Sequence, residues 1–258
     1  MENRVKRSPL TLVLGAMPSE IRTIQGKLRG RRTKTVAGFP YDTGMLGGRR
    51  VVVAVTGVGV TNGAMVAALF INEFKPSELV VSGTGSRFNP RIRTGDTVIS
   101  LKTIHHAAGS LTADGMVYRK VRGPLAGQMT SWFFRPDPAL LALARAAVKT
   151  YEPEDVVVDG ERYTPRVLTG VVTASDLFGV SDEKIADMQA KLAPDIMEME
   201  SAAIAQVCTQ LGTPHIVFRA GSNRTQSNPG NDYRRVGQIA AAAAARWTVH
   251  FVASLATG

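Results

Sequence analysis

The chain has 258 residues, 44% of them hydrophobic, which excludes an intrinsically disordered protein and allows one sizeable core. Its net charge is +10, but Lys and Arg occur in short clusters with few aromatic residues among them, so a specific nucleic-acid partner is not expected. The apolar run at 10–17 is too short to span a bilayer, and no small-residue cleavage site precedes Glu20, so neither a membrane segment nor a signal peptide is predicted.

A single cysteine, Cys208, excludes an intrachain disulfide. Because it falls in an apolar stretch with helical character, 201–211, a buried structural thiol is expected rather than a reactive one. Together with the missing signal peptide, this favours a cytoplasmic protein.

Strands and helices alternate from the N-terminus onward. The first strand is expected to end at Gly15, and Pro18 suits the first turn of the helix that follows. A Gly47-Gly48 pair favours a hairpin between the next two strands. The first half is predicted to contain strands at 10–14, 41–46, 51–56, 78–82 and 96–101 and helices at 18–28 and 61–74.

The second half opens with a Gly-rich, polar stretch, 105–138, that is predicted to be a functional loop region. Beyond it the pattern indicates strands at 167–173, 196–199 and 215–220 and helices at 138–149, 182–192, 200–211 and 233–255. This alternation favours a largely parallel sheet covered on both faces. Because no linker stands out, residues 1–258 are predicted to form one three-layer α/β/α domain. Its central twisted sheet is mixed and largely parallel, and residues 1–8 form a flexible basic N-terminus.

Ligands in such sheets bind where the strands end, and here the strand ends carry short Gly-rich or acidic motifs. These motifs are Gly15-Ala16-Met17-Pro18-Ser19-Glu20, Thr56-Gly57-Val58-Gly59, Gly83-Thr84-Gly85 with Pro90 and Gly95-Asp96, Met197-Glu198-Met199-Glu200-Ser201-Ala202-Ala203, and Ala220-Gly221-Ser222-Asn223. In this order they resemble the nucleoside phosphorylase and nucleosidase superfamily. They are most similar to the 5′-methylthioadenosine/S-adenosylhomocysteine nucleosidases.

The resemblance implies an enzyme that hydrolyses the N-glycosidic bond of a purine nucleoside, without a cofactor or metal, and that assembles as a homodimer. Glu20 would position and deprotonate the attacking water, with Thr84 and Gly85 close to it. The structural alternative for Glu20 is an exposed carboxylate that the helix dipole favours in the first turn of a helix. For Thr84 the alternative is a strand cap.

The same resemblance assigns Glu200 to the two ribose hydroxyls, since a carboxylate can accept one hydrogen bond at each oxygen. Met199 would pack against the sugar, although an ordinary core position is the alternative. Asp176-Leu177-Phe178 resembles a motif of hexameric purine nucleoside phosphorylases, which implies that Phe178 stacks on the base, with an ordinary core position as the alternative. His105 and His106 fall in the region that shapes the 5′ end of the substrate in relatives, and no metal-ligand spacing accompanies them.

At Ser222-Asn223 the chain departs from the adenine-specific nucleosidases, which have Ser-Asp there and use the aspartate on the purine N7. An amide can donate a hydrogen bond to N7 but cannot deliver a proton. One interpretation is a 6-oxopurine substrate, because Asn can pair with N7 and O6, and futalosine hydrolases resemble this Ser-Asn ending. The other is that a different acid, such as Asp232, serves the base.

The nucleophile also separates two interpretations. Phosphorylases of the superfamily carry Arg soon after the first Gly and just before the Gly-Thr motif, where this chain has Glu20 and Val80-Val81. A carboxylate next to phosphate would repel it, which favours water. A phosphate-dependent phosphorylase, with charge from Arg22, Arg50 or Arg87, stays the alternative. So does a nucleoside-binding protein that has lost catalysis at Asn223.

Overall fold

A ten-stranded mixed sheet with helices on both faces forms the centre of the computed structural model, which describes residues 9–179, 181–225 and 229–256. The strands in these ranges are β1 (Leu10–Gly15), β2 (Arg29–Val36), β3 (Phe39–Leu46), β4 (Arg49–Val55), β5 (Glu78–Arg87), β6 (Thr97–His105), β7 (Gly109–Thr112), β8 (Gly115–Tyr118), β9 (Val121–Arg122), β10 (Met129–Thr130), β11 (Phe133–Phe134), β12 (Val156–Val158), β13 (Glu161–Tyr163), β14 (Val167–Ala174), β15 (Ile196–Glu198) and β16 (His215–Arg224). The helices are α1 (Pro18–Lys27), α2 (Val60–Phe74), α3 (Pro138–Val148), α4 (Asp182–Leu192), α5 (Ser201–Leu211) and α6 (Pro229–Ser254). The proposed flexible tail at 1–8 lies outside the described residues.

The sheet combines parallel and antiparallel strand pairs. β5 pairs in parallel with β1 on one side and β16 on the other, and β1 pairs in parallel with β4. β2, β3 and β4 form an antiparallel meander at one margin, and β6 and β14 continue the sheet beyond β16. The predicted mixed, largely parallel sheet is therefore confirmed.

Successive residues of the central strands point to opposite faces, which produces two separate cores. Val13 of β1 and Val80 of β5 pack with Trp247 of α6 in one core. Leu12 and Leu79 pack in the other core with α2 and α5. The second core contains the fully buried Cys208, as expected from its apolar surroundings. The alternation gives the predicted helix, sheet and helix layers.

Several elements differ from the sequence predictions. β2 was not predicted, because its Arg, Lys and Thr side chains are nearly all exposed and leave no apolar alternation to read. The stretch 105–138 contains short antiparallel hairpins, such as β7 with β8, rather than only loops. α6 begins at Pro229 instead of residue 233, and Pro is favourable in a first helical turn. None of the described helices combines the length and the apolar character that a membrane crossing requires.

Candidate active site

A pocket of about 370 Å³ opens where β1 and β5 end, next to the start of α5 and the end of β16. This is the edge at which ligands bind in parallel α/β sheets. Its lining includes eight residues that the sequence analysis named as candidates for the site: Glu20, Thr84, Gly85, Phe178, Met199, Glu200, Ser222 and Asn223. It also includes Ala16, Met17, Val58, Ser86, Leu177, Met197, Glu198 and Tyr233.

Glu20 lies in the first turn of α1, yet it is only 1% exposed, because the turn after β1 folds over it. Its Oε2 accepts hydrogen bonds from the backbone N–H groups of Ala16 (2.7 Å) and Met17 (3.1 Å). Its Oε1 accepts from the backbone N–H (2.7 Å) and the hydroxyl (2.9 Å) of Thr84. Burial raises the pKa of Glu20, and the opposing influence of Arg219 and Thr84 does not cancel that shift. The carboxylate is therefore held in one orientation at the pocket wall.

Arg219, in β16, is the positive group behind the pocket, and sequence reasoning missed it. The side chain is 1% exposed and forms ion pairs with Glu198 and with Glu200, the latter at 3.0 Å. Its Nη1 also lies 3.9 Å from Glu20 Oε1. Burial alone would lower the pKa of Arg219, but the three carboxylates together raise it, so the guanidinium stays charged. One cation thus compensates three buried acidic side chains.

Glu200 and Glu198 divide their tasks, as their spacing of two residues requires. Glu198 accepts hydrogen bonds from the backbone N–H groups of Glu200 (3.0 Å) and Ser201 (3.1 Å), so it fixes the start of α5. Glu200 Oε1 accepts from the N–H of Gly59 at 2.9 Å, and Oε2 accepts from Arg219. Burial, together with the neighbouring Glu198, raises the pKa of Glu200 to about 7 against the lowering influence of Arg219. Glu200 is the carboxylate whose remaining lone pairs can accept hydrogen bonds from a ligand.

Two glycines make this crowding possible. A Cβ at Gly83 of β5 would lie 2.7 Å from Glu20 Oε1, so a residue without a side chain is needed where this carboxylate packs against the strand. Gly59 has φ of 104°, which L side chains rarely adopt, and a Cβ there would lie 2.7 Å from Asp176 Oδ1. Both positions therefore require glycine on steric grounds.

The pocket lining also includes an aromatic and an amide side chain. Phe178 is 54% exposed and can contact a ligand. Asn223 is buried: its Nδ2 donates to Ser86 Oγ (2.9 Å) and to the Arg224 carbonyl (3.0 Å). Ser222 Oγ lies 2.9 Å from the Gly85 carbonyl and 3.0 Å from Asn223 Oδ1. Asn223 thus has its two N–H protons engaged and a free lone pair on Oδ1.

The segment that carries Phe178 is anchored at its base. Asp176 Oδ1 accepts a hydrogen bond from the N–H of Val60, at the start of α2, at 2.8 Å. Ser175 Oγ lies 2.6 Å from Nε2 of the fully buried His106, whose pKa burial lowers to about 4. His105 and His106 themselves do not line the pocket. His106 instead supports the strand end that leads to Phe178.

Tyr233 of α6 completes the pocket, and the sequence analysis had not identified it. Its hydroxyl lies 3.4 Å from Thr84 Oγ1 and 3.8 Å from Met17 Sδ. Because the Thr84 hydroxyl donates to Glu20, it is free to accept from Tyr233. Nothing in the sequence around Tyr233 indicates that α6 places this side chain in the same pocket as Asn223.

Asp232 lies outside the pocket, in a neighbouring cavity, where it forms an ion pair with Arg235 at 3.1 Å. Its Oδ2 also accepts from the backbone N–H of Arg224 at 3.4 Å. These contacts hold the Asp232 carboxylate outside the pocket that contains Glu20. Among the residues at 9–179, 181–225 and 229–256, no cluster of three His, Cys, Asp or Glu side chains is arranged to hold a metal ion.

The sheet, its two helical layers and a carboxylate-lined pocket at the strand ends define a nucleoside phosphorylase-like α/β protein. Residues 11–253 match the sequence profile of the Phosphorylase superfamily, and the chain belongs to this family. The resemblance inferred from the strand-end motifs is thereby confirmed.

Curated and solved relatives agree with this assignment. The chain is 32% identical to the 5′-methylthioadenosine/S-adenosylhomocysteine nucleosidase of Bacillus cereus (strain G9842), over 82% of this chain and 84% of that protein. A nucleosidase of the same name from Neisseria meningitidis, solved with methylthio-immucillin-A, superposes with a TM-score of 0.81 at 28% identity, covering 95% of this chain and 99% of that one. Futalosine hydrolase of Helicobacter pylori strain 26695 has a TM-score of 0.78 at 20% identity, covering 95% and 97%, and shares the fold.

Proposed function

We propose that this chain hydrolyses the N-glycosidic bond of a purine nucleoside, releasing the free base and a ribose derivative. The observation that carries the proposal is the buried Glu20 carboxylate on the wall of a pocket that has Glu200 beside it and Phe178 at its mouth. The names of the relatives at 28–32% identity support the same reaction.

In the proposed reaction the bond from C1′ to the purine nitrogen breaks while a bond from C1′ to a water oxygen forms. Glu20 accepts the proton that the water loses, and Thr84 and Gly85 lie beside that water. Glu200 accepts hydrogen bonds from the ribose hydroxyls, Met199 packs on the sugar and Phe178 stacks on the base. The departing base takes up one proton, which balances the equation, and Ser222 holds Asn223 towards that base.

Water is the favoured nucleophile because of the charge in the pocket. Glu20, Glu198 and Glu200 line it, whereas no Lys or Arg among the described residues does. Arg219 lies behind the carboxylates and is occupied by them. A phosphate dianion would meet repulsion there instead of the cations that hold it in phosphorylases.

The choice of purine depends on Asn223. An amide cannot protonate N7, which disfavours adenine as a leaving base, while Asn can pair with N7 and O6 of a 6-oxopurine once Nδ2 exchanges a protein contact for the ligand. We therefore propose a preference for 6-oxopurine nucleosides over the adenine nucleosides named for the curated relatives. The 5′ substituent of the nucleoside also differs among the substrates that test the proposal.

A substrate panel tests the proposal. Purified protein is incubated with inosine, adenosine, methylthioadenosine and adenosylhomocysteine, with and without inorganic phosphate, and the free base and sugar are quantified. We expect free ribose or its 5′ derivative without phosphate. A strict requirement for phosphate, with ribose 1-phosphate as product, would indicate a phosphorylase. Ligand-induced stabilisation without release of any base would indicate a binding protein and contradict the proposal.

We also propose a cytoplasmic homodimer. Val58, Leu177 and Phe178 are 46%, 48% and 54% exposed at the mouth of the pocket, and a second copy packed over this apolar rim would shield it from water. Light scattering during size-exclusion chromatography should give twice the chain mass. A monomer mass at micromolar concentration would contradict the dimer, and cell fractionation tests the location.

A further inference from the structure

Two arginines end neighbouring strands beside the base end of the pocket. Arg87 is the last residue of β5 and Arg224 the last residue of β16, and they are register partners in these parallel strands. Register partners in parallel strands direct their side chains to the same face of the sheet. Both residues accordingly line the same two cavities, and neither lines the pocket that contains Glu20.

Asp232 lies close enough to Arg87 to raise its pKa, but neither arginine of the pair forms an ion pair with a carboxylate in the described part of the chain. Arg87 donates from Nε to the Ser222 carbonyl at 2.8 Å, and neither its other N–H groups nor the Arg224 guanidinium forms an ion pair with a described Asp or Glu. The nearby Asp232 is engaged by Arg235 at 3.1 Å. The Nε contact fixes the Arg87 guanidinium, so its outer N–H groups are held in one orientation.

Like charges at register-partner positions destabilise a sheet, and burial increases their repulsion. Arg87 is only partly exposed, and both its burial and the neighbouring Arg224 lower its pKa. An anion bound between the two guanidinium groups would remove this repulsion. The pair is therefore an arrangement that a ligand stabilises.

The two adjoining cavities differ in charge. The larger, about 410 Å³, contains Arg93 and Arg235 but also Asp159, Glu161 and Asp232. The smaller, about 260 Å³, contains no carboxylate among its described lining: Arg87, Phe88, Asn89, Pro90, Ile92, Ile185, Arg224 and Thr225. Only in the smaller cavity, therefore, would an anion contact the two guanidinium groups without a described carboxylate beside it.

We propose that Arg87 and Arg224 bind a phosphate group in this smaller cavity, either as inorganic phosphate or as the phosphate of a small monoester. Guanidinium groups bind phosphate oxygens in pairs of parallel hydrogen bonds, which suits two arginines side by side. The site lies outside the catalytic pocket, so a phosphate held there is not the nucleophile. A bound phosphate would instead contact the Arg87 guanidinium, which donates to the Ser222 carbonyl, and would thereby affect the position of the neighbouring Asn223.

The test is calorimetric titration of the full chain, without nucleoside, with inorganic phosphate and separately with glycerol phosphate, against chloride at equal ionic strength. We expect saturable binding of about one phosphate per chain and a loss of about tenfold or more in affinity for Arg224→Gln, because a charge-assisted contact is removed. Tighter binding of glycerol phosphate would identify a monoester as the ligand. Arg32→Gln, an exposed arginine on the distant β2, is the matched control and should bind as the wild type does.

Wild-type protein that shows no saturable phosphate binding would overturn the proposal, and so would an Arg224→Gln protein that binds as tightly as wild type. Arg224 is exposed, so its replacement should leave folding intact, and a thermal melt of each variant checks this. Because no nucleoside is present, the result does not depend on the proposed hydrolysis. Base release in phosphate-free buffer reports on that function separately.

Discussion

Ser222 and Asn223 line the catalytic pocket, whereas the next two residues, Arg224 and Thr225, line a smaller cavity of opposite charge. The catalytic pocket on one side is lined by carboxylates, whose compensating Arg219 is buried behind them. The smaller cavity on the other side is lined by Arg87 and Arg224 without a carboxylate among its described residues. A chain with a large excess of positive charge can thus keep cations out of one pocket, where phosphate would be repelled, and place two of them at a nearby cavity.

Arg219→Met should have the largest effect, because it leaves Glu20, Glu198 and Glu200 buried without their shared cation. Breaking a buried ion pair by removing one partner costs about 3–5 kcal/mol of unfolding free energy. Urea denaturation followed by circular dichroism measures this. Arg32→Met, at an exposed position, should change stability by less than about 0.5 kcal/mol. Equal stability of both variants would show that the three acids do not depend on Arg219.

Glu20→Gln should lower kcat by about 10²–10⁴-fold, because the amide cannot accept a proton from water. The side chain keeps nearly the same size, but its NH2 group would face backbone N–H donors that hydrogen-bond to the carboxylate, so a thermal melt checks that the variant is folded. Base release under saturating substrate measures the effect. Glu73→Gln, an exposed acid on α2, is the control and should match the wild type. Turnover of Glu20→Gln equal to the control would assign the proton acceptor elsewhere.

Asn223→Asp should change the choice of base, because it supplies an ionisable group where the chain has an amide. A missing general acid costs about 10²–10⁴ in rate for a substrate that needs one, so kcat/KM for methylthioadenosine should rise by at least about tenfold relative to inosine. The ratio of the two kcat/KM values is the measurement. An unchanged ratio would mean that residue 223 does not face the base.

Thr84→Val should have the smallest effect, a shift in the pH profile. Glu20 must be ionised to accept a proton, burial raises its pKa, and the Thr84 hydrogen bonds lower it. Without the hydroxyl the pKa rises further, so the acidic limb of kcat/KM moves to higher pH. One hydrogen bond of about 1 kcal/mol corresponds to about 0.7 pH unit. Thr35→Val, exposed on β2, should leave the limb in place, and a limb that moves equally in both variants would contradict the assignment.

The sequence predicted the strand ends that form the pocket, because Gly-rich and acidic motifs directly after apolar strands are typical of the ligand-binding edge of an α/β sheet. It did not predict Arg219, which lies in the middle of the apolar strand β16, and a linear pattern does not show that three distant acids converge on one residue. Tyr233 was missed for the same reason, since it reaches the pocket from α6. β2 was missed because exposed strands at the margin of a sheet need no apolar periodicity.

Three acidic side chains surround the single guanidinium of Arg219, and this imbalance determines which kind of molecule should bind most tightly. The cluster has a net negative charge whenever at least two of the three carboxylates are ionised, because the single guanidinium compensates only one of them. A neutral nucleoside gains little from this excess, but a sugar that becomes cationic as its bond to the base lengthens is stabilised by it. Ligands with a permanently protonated nitrogen in the sugar ring should therefore bind far more tightly than the substrates they imitate.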